Sequence, residues 1–202
     1  MSQTRLPSGW RAARFRLTNL FYGPGTKTRP WTWIGDTRVA IGSLPTPTSL
    51  PILKDREGVT HVVNCRADKQ VLLSGDRDME QAVFGADHVA HAPMWDHGRP
   101  QSQQAWTAAA QFAARALEDP DAKVLIHCQR GRRRSAMVAY AVLRLRGFSA
   151  ADAARAILLH RREAELVPAY RTNVEDWLSS RSEVADGQND APDGPTTPPA
   201  LT

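Results

Sequence analysis

The sequence predicts an α/β domain in which a central, mainly parallel sheet is flanked by helices and the C-terminal half is helical. Strand and helix patterns alternate along the chain, which is typical of this class. The run AKVLIHC (122–128) is continuously apolar, as in strands buried on both faces of a sheet. With 202 residues, 42% of them hydrophobic, the chain is long enough for one such domain.

Three strands and one helix are predicted before residue 95. The strand candidates are TRVAIGS (37–43), VTHVVNC (59–65) and DHVAHAPM (87–94). The segment TSLPILKDREG (48–58) predicts a short helix with Thr48 or Ser49 as its N-cap, Pro51 in the first turn and Gly58 as its stop.

Four helices are predicted around the apolar strand at 122–128. They are SQQAWTAAAQFAARALED (102–119), SAMVAYAVLRLRG (135–147), SAADAARAILLHRR (149–162) and VPAYRTNVEDWLSS (167–180). Gly147 closes the second of them, and Ser149 stands three residues before Asp152, the spacing of a capping box.

The two ends of the chain differ from its middle, so we predict three units: an extension (1–32), a folded domain (33–182) and a disordered tail (183–202). The first 35 residues hold six Lys/Arg and no acid, and the tail is rich in Pro, Gly and Asp. The basic extension contains several aromatic residues. It either contacts an anionic surface, with a membrane favoured over nucleic acid, or packs its aromatics on the domain.

The chain has two cysteines, Cys65 and Cys128, which do not form a disulfide framework. With no apolar run long enough to span a membrane and no secretory signal pattern, we predict a cytoplasmic protein. The alternative is a cytoplasmic protein bound at the membrane periphery through its extension. The basic, acid-free N-terminus leaves a mitochondrial targeting peptide open.

The stretch VLIHCQRGRRRSAMVAY (124–140) carries the chemistry. A loop that turns from a buried strand into a helix aims several backbone N–H groups at one point, where the helix dipole adds positive charge, so it binds phosphate. Arg134 can hold two phosphate oxygens at once. The positive field lowers the pKa of Cys128, whose thiolate is then a nucleophile, and Ser135 can hydrogen-bond the sulfur.

The motif HCQRGRRRS resembles the H-C-x5-R-[S/T] signature of the cysteine-based phosphatases, and most closely their dual-specificity group. The resemblance covers roughly residues 33–178. It implies a two-step hydrolysis through a cysteinyl-phosphate, with no metal and no cofactor. It also implies substrate contacts from the rest of the loop and from the residue before it: His127, Gln129, Arg130, Gly131, Arg132 and Arg133. His127 is expected to orient the loop backbone and the sulfur and not to act as a base.

Asp96 in APMWDHGRPQ is the candidate general acid. Dual-specificity phosphatases carry this aspartate at about the same distance before the cysteine. Met94 and Trp95 are expected to desolvate Asp96 and raise its pKa. Asp87 is the alternative donor, although it precedes a strand and would lie at its far end. Asp96 could also be a turn-capping residue.

The substrate stays open between three classes. We favour phosphorylated proteins carrying phosphotyrosine, phosphoserine or phosphothreonine. In the resembled family, basic residues inside the loop accompany phosphoinositides and phospholipid phosphates. The alternative is that these side chains face solvent or pair with helix acids, so that only backbone amides face the ligand. The lead-in at 19–45 also resembles the mitochondrial phosphatidylglycerophosphate phosphatases, although NCRADK (64–69) replaces their acidic motif. An RNA 5′-phosphatase and a non-catalytic anion-binding module are the remaining alternatives.

Cys65 ends a strand expected to lie in the same sheet as Cys128. Some relatives protect their nucleophile through a disulfide to a second cysteine in this region. The resemblance therefore implies a reversible Cys65–Cys128 link under oxidation. The alternative is that Cys65 is a buried small apolar residue.

Overall fold

The computed structural model describes residues 30–189, and their side chains through residue 181. Its strands are β1 (Trp31–Trp33), β2 (Val39–Gly42), β3 (His61–Asn64), β4 (Val89–His91) and β5 (Val124–His127). Its helices are α1 (Ser49–Asp55), α2 (Asp68–Ser74), α3 (Asp76–Phe84), α4 (Gln103–Ala116), α5 (Arg134–Leu145), α6 (Ala150–His160) and α7 (Pro168–Asn189). A short 3₁₀ turn (Ala86–His88) precedes β4.

The described strands form one sheet in the order β1-β2-β5-β3-β4. β1 pairs antiparallel with β2, and the other three pairings are parallel. This confirms the predicted α/β class with a mainly parallel sheet. Because β2, β3, β4 and β5 run the same way, their carboxyl ends meet at one edge, where open α/β sheets bind their ligands.

The core lies on both faces of this sheet. The larger cluster packs α4, α5, α6 and α7 on one face, and the smaller one packs α1 and α3 on the other. β5, the middle strand, is buried along its whole length, as its continuous apolar run predicts. The first ten residues of α5 are also buried. The loop between β5 and α5 is therefore held between two buried elements.

Two helices and one strand were not predicted. α2 buries Gln70 and Ser74, both polar, so it lacks the apolar stripe that marks a helix in a sequence. Gly75, with φ of +64°, separates α2 from α3 and interrupts the pattern further. β1 has three residues, too few for an alternation to be seen.

The helix starts are partly as predicted. Ser149 caps α6 by accepting a hydrogen bond from the Asp152 backbone N–H at 3.0 Å, as its spacing indicates. Thr48 is the N-cap residue of α1 but makes no side-chain cap there. Thr46 accepts the bond from the Ser49 N–H instead, at 3.1 Å.

Both predicted unit boundaries fall inside secondary structure. β1 pairs Trp31 with Gly42, so residues 31 and 32 belong to the sheet of the domain and not to the extension. α7 continues to Asn189, past the predicted start of the tail at 183. Residues 1–29 and 190–202 lie outside the described residues. Within the described range no helix is both long and apolar enough to cross a membrane.

Candidate active site

The segment that follows β5 and includes the first residue of α5 (residues 128–134) is called the phosphate loop after the ligand that the sequence predicts, and it lies at the carboxyl edge of the sheet. Backbone hydrogen bonds tie it to the chain after β2. The Cys128 N–H donates to the Gly42 carbonyl at 3.3 Å, and the Leu44 N–H donates to the Gln129 carbonyl at 3.4 Å. From the other side the buried Arg161 donates its Nε to the Gly131 carbonyl at 3.1 Å. The loop is therefore fixed before any ligand binds.

Gly131 is the loop position at which no other residue fits. Its φ of +66° lies in the left-handed region, which L side chains rarely adopt. A Cβ there would lie 2.7 Å from the backbone of Gly42 and 2.7 Å from Nη2 of Arg161. The loop packs this closely because backbone meets backbone.

Cys128 is buried, with its sulfur 3.3 Å from the Ser135 hydroxyl. Burial raises the pKa of this thiol, but the charge of Arg134 outweighs it, together with hydrogen bonds from Ser135 and from the backbone of Arg132. The net effect lowers the pKa of Cys128 to about 7. Close to half of the molecules therefore carry a thiolate at neutral pH.

Alkylation of Cys128 should follow this pKa. Because the thiolate is the reactive form, the rate with iodoacetamide is expected to rise with pH and to reach half its maximum near pH 7 in a Cys65→Ser background. Replacing Arg134 with methionine removes the opposing charge and should move the midpoint upward by at least about one unit. A wild-type midpoint near 8.5, about that of a free thiol, would contradict the electrostatic account.

Arg134 is almost completely buried, and its Nη1 is surrounded by three hydrogen-bond acceptors of the chain. Its Nη1 donates to Oε1 of Gln70 at 2.9 Å, to the carbonyl of Met94 at 2.9 Å and to that of Cys65 at 3.4 Å. Its Nε is buried and has no hydrogen-bond partner within the described part of the chain. An anion in the loop would satisfy this donor, whose burial is otherwise unfavourable.

His127 and Glu80 form a buried pair beneath the loop, with Nε2 2.8 Å from Oε1. Burial lowers the pKa of His127, but the charge and hydrogen bond of Glu80 and the charge of Asp76 outweigh it, so the pKa is raised. Asn64 links both acids through its Nδ2, 2.7 Å from Asp76 and 3.1 Å from Glu80. The buried side chain of His127 therefore faces α3, which agrees with its expected role in orienting the loop and not with a side-chain contact to substrate.

This pair makes stability depend on pH. His127 has a raised pKa in the folded protein, so its contribution is complete below the unfolded value of about 6.5 and is lost as pH rises through the folded pKa. We expect Glu80→Gln to lower the free energy of unfolding by about 2 kcal/mol at pH 6 and by less at higher pH. Denaturant unfolding across pH measures this difference. The exposed Glu118→Gln should show no trend, and a pH-independent loss in Glu80→Gln would contradict the mechanism.

Asp96 lies at the rim of the phosphate loop, with Oδ1 3.8 Å from Nη1 of Arg133. The prediction that Met94 and Trp95 desolvate it is wrong. Its side chain is 37% exposed, and Trp95 is 49% exposed. Met94 points into the core, so the two neighbours face opposite ways. The neighbour of the Asp96 carboxylate is therefore the charged Arg133 and not an apolar side chain.

The segment that carries Asp96 (the acid loop, residues 92–102) is anchored to α7. Gln101, buried, donates its Nε2 to the Trp95 carbonyl at 2.9 Å and to the Tyr170 hydroxyl at 3.1 Å. The same hydroxyl accepts from the Gly98 N–H at 3.2 Å. Because Met94 also bonds Arg134, the acid loop and the phosphate loop are held in one arrangement.

The other ionisable candidates lie elsewhere. Asp87 is in the turn before β4, at the amino edge of the sheet, opposite the phosphate loop, as its sequence position indicates. His61 and His88 stack on each other with ring centroids 4.5 Å apart. Among the described residues, no three His, Cys, Asp or Glu side chains are grouped so that they could hold a metal ion.

The additional arginines of the loop mostly face acids. Arg133 donates Nε and Nη2 to the two carboxylate oxygens of Glu165, at 2.7 and 3.1 Å. Arg132 donates its Nε to the Glu163 carbonyl at 3.2 Å. Arg130 is exposed. Nη2 of Arg132 also lies 3.5 Å from the Glu165 carboxylate. For Arg132 and Arg133 the structure therefore favours the alternative in which they pair with an acid of the chain, although this acid lies between α6 and α7 and not on a helix.

Cys65 and Cys128 are both buried and free. The Cys65 N–H donates to the His127 carbonyl at 2.8 Å, so the two cysteines end neighbouring strands. Burial raises the pKa of Cys65, and the neighbouring Cys128 raises it further. In this state Cys65 packs in the core as a small apolar residue, and the disulfide under oxidation stays a prediction.

We compared the sequence and the structure of the chain with those of known proteins. No protein-family model and no curated protein sequence matches the chain significantly. Solved structures do: PTPMT1 in complex with PI(5)P has a TM-score of 0.66 at 19% identity, over 78% of this chain and 99% of that one. The chain has the fold of the dual-specificity phosphatases. Human DUSP28 matches with a TM-score of 0.61 at 22% identity, over 78% and 99% of the two chains.

The likeness to dual-specificity phosphatase structures covers about three quarters of the chain. A third structure, Tk-PTP in its active form, matches with a TM-score of 0.60 at 25% identity, over 76% of this chain and 99% of that one. Nearly all of each of these solved chains is therefore matched. The fold prediction is confirmed, including the strand-to-helix loop that carries Cys128.

Proposed function

We propose that the chain is a cysteine-dependent phosphatase that hydrolyses phosphate monoesters through a cysteinyl-phosphate intermediate. One observation carries this proposal: a thiol with a pKa of about 7 lies in an anion-binding loop beside an arginine whose Nε has no protein partner among the described residues. The dual-specificity phosphatase fold supports it.

In the first step the Cys128 thiolate attacks phosphorus, and the bond between phosphorus and the ester oxygen breaks. The loop amides and Arg134 hold the non-bridging oxygens and balance the charge that develops on them. Asp96 donates its proton to the departing oxygen. Its exposed position at the rim suits a donor to a leaving group that projects out of the loop.

In the second step water attacks the cysteinyl-phosphate while Asp96, now ionised, accepts a proton from it. The sulfur–phosphorus bond breaks, and phosphate and the thiolate are released. The Ser135 hydroxyl, 3.3 Å from the sulfur, stabilises the departing thiolate by donating a hydrogen bond. Both steps balance with the groups of this chain and water alone.

We favour phosphorylated proteins as substrates, carrying phosphate on tyrosine, serine or threonine. The ion pairs of Arg132 and Arg133 support this choice, because they occupy the charges that a polyphosphorylated headgroup would otherwise meet. A phosphoinositide or phosphatidylglycerophosphate is the second candidate. The fold likeness to PTPMT1, whose structure was solved with PI(5)P, favours it.

The location of the protein belongs to the same proposal. We place it in the cytoplasm, with peripheral membrane contact through the basic extension. The six Lys/Arg and the absence of acids in residues 1–35 support contact with an anionic surface.

A substrate panel tests the function. Phosphate release by the full chain is measured on phosphotyrosine and phosphoserine peptides, PI(5)P, phosphatidylglycerophosphate and 5′-triphosphorylated RNA. In parallel, acid quenching during turnover should trap one phosphoryl group on the peptide that contains Cys128. Preferred turnover of a peptide or of a lipid decides between the two candidates. Turnover without a trapped phosphoryl group would overturn the mechanism, and the absence of any turnover would overturn the activity.

A further inference from the structure

Glu165 lies in the segment between α6 and α7 and contacts the arginines of the phosphate loop. We propose that it is a specificity-determining residue. It occupies Arg132 and Arg133 as an internal anion, so that the site favours substrates with one phosphate over those with a second phosphate beside the first. The inference rests on the proposed function, since it concerns the same loop.

The Glu165 carboxylate binds Arg133 as a phosphate would. Its two oxygens meet Nε and Nη2 of Arg133 at 2.7 and 3.1 Å, the parallel arrangement in which a guanidinium also holds phosphate. Nη2 of Arg132 lies 3.5 Å from the same carboxylate. The Glu165 N–H also donates to the Arg132 carbonyl at 3.0 Å, so backbone and side chain are fixed together.

Arg133 lies beside the place where substrate enters. It precedes Arg134 in the chain, and its Nη1 is 3.8 Å from Asp96. Its guanidinium therefore lies between the acid loop and the segment that carries Glu165. On the other side of Glu165, next to Arg132, a groove of about 450 Å³ opens. Its lining residues are Arg132, Arg162, Glu163, Ala164 and Glu165. A second phosphate close to the scissile one would meet this rim.

The pair is open to displacement. The side chains of Arg133 and Glu165 are 37% and 43% exposed, and ion pairs in contact with solvent are weak. A hydrogen bond from Arg133 lowers the pKa of Glu165, so the carboxylate stays ionised near neutral pH. A second phosphate must therefore break the pair and then remain close to a negative charge. A single phosphate held by Arg134 and the loop amides does neither.

The test compares phosphate with pyrophosphate. Both are titrated calorimetrically into the full chain carrying Cys128→Ser, which keeps the loop without turnover. Adding Glu165→Gln is expected to lower the dissociation constant of pyrophosphate about fivefold, which corresponds to the free energy of one exposed ion pair. The dissociation constant of phosphate should change less than twofold. Adding Arg133→Gln as well should remove the gain. Glu163→Gln is the matched control, because Glu163 meets Arg132 through its carbonyl, and should change neither anion.

Other outcomes overturn the inference. Equal tightening of both anions would show a general charge effect, and an unchanged pyrophosphate affinity would show a merely structural pair. Tightening by Glu163→Gln as strong as that by Glu165→Gln would remove the residue's special role. If neither anion binds at all, the phosphate loop is not an anion-binding site, and the proposed function is contradicted as well. If the selective gain appears but the wild type hydrolyses nothing, the role of Glu165 stands and the phosphatase activity fails.

Discussion

Replacing Cys128 with serine is expected to lower phosphate release by at least about a thousandfold on whichever substrate the wild type turns over. A serine hydroxyl is not ionised near neutral pH, so the Arg134 charge that lowers the thiol pKa to about 7 has no anion to stabilise. The change keeps the size of the side chain, and the neighbouring Ser135 can still hydrogen-bond it. Initial rates on the preferred substrate of the panel measure the loss.

Cys65→Ser is the matched control for this variant. Cys65 is the second buried thiol in the chain, at the end of the neighbouring strand, but its pKa is raised and not lowered. Its replacement should retain at least about half of the wild-type rate. Thermal unfolding of both variants shows whether the fold persists. A folded Cys128→Ser variant with a tenth of the wild-type rate or more would show that the thiol is not the nucleophile.

The sequence predicts best those site residues that lie close together along the chain. Cys128, Arg134 and Ser135 lie within eight residues, between an apolar strand and a buried helix. Seven residues of loop give them little choice of arrangement. The strand and helix patterns on either side therefore predict both the loop and the direction of its amide groups.

The supports of the site could not be predicted, because they depend on which strands become neighbours. Gln70 and Glu80 lie about 50 residues or more before the loop, on helices that contact it only because β3 pairs with β5. Both are polar residues that the fold buries. Polar positions on short helices give no periodic signal, so neither residue is distinguishable from a solvated one in the sequence.

Asp96 shows the same limit on a smaller scale. The resemblance to the dual-specificity phosphatases predicts its place in the acid loop, but not its surroundings. Neighbours in sequence need not be neighbours in space: Met94 turns into the core while Trp95 turns to solvent. The residue that meets Asp96 is Arg133, from the phosphate loop. An arginine-rich motif does not show which of its side chains are already paired.

Arg134→Lys is the second change expected to lower activity strongly. Lysine keeps the positive charge but lacks the several N–H donors of the planar guanidinium. In the wild type one guanidinium nitrogen is held by Gln70 and by two carbonyls, and the buried Nε remains for the anion. A single ammonium cannot satisfy both sides. Each lost charge-assisted bond is worth about 1.5–3 kcal/mol, so kcat/KM should fall by at least about a hundredfold.

Two readouts separate geometry from charge in this variant. If the lysine retains most of the positive charge near the sulfur, the alkylation midpoint of Cys128 should move less in Arg134→Lys than in Arg134→Met. Arg115→Lys is the matched control, since Arg115 is exposed in the last turn of α4 and belongs to neither loop of the site, and its kcat/KM should stay within about twofold. An Arg134→Lys variant with a tenth of the wild-type kcat/KM or more would mean that charge alone is sufficient. The orientation imposed by Gln70 and the two carbonyls would then contribute nothing to turnover.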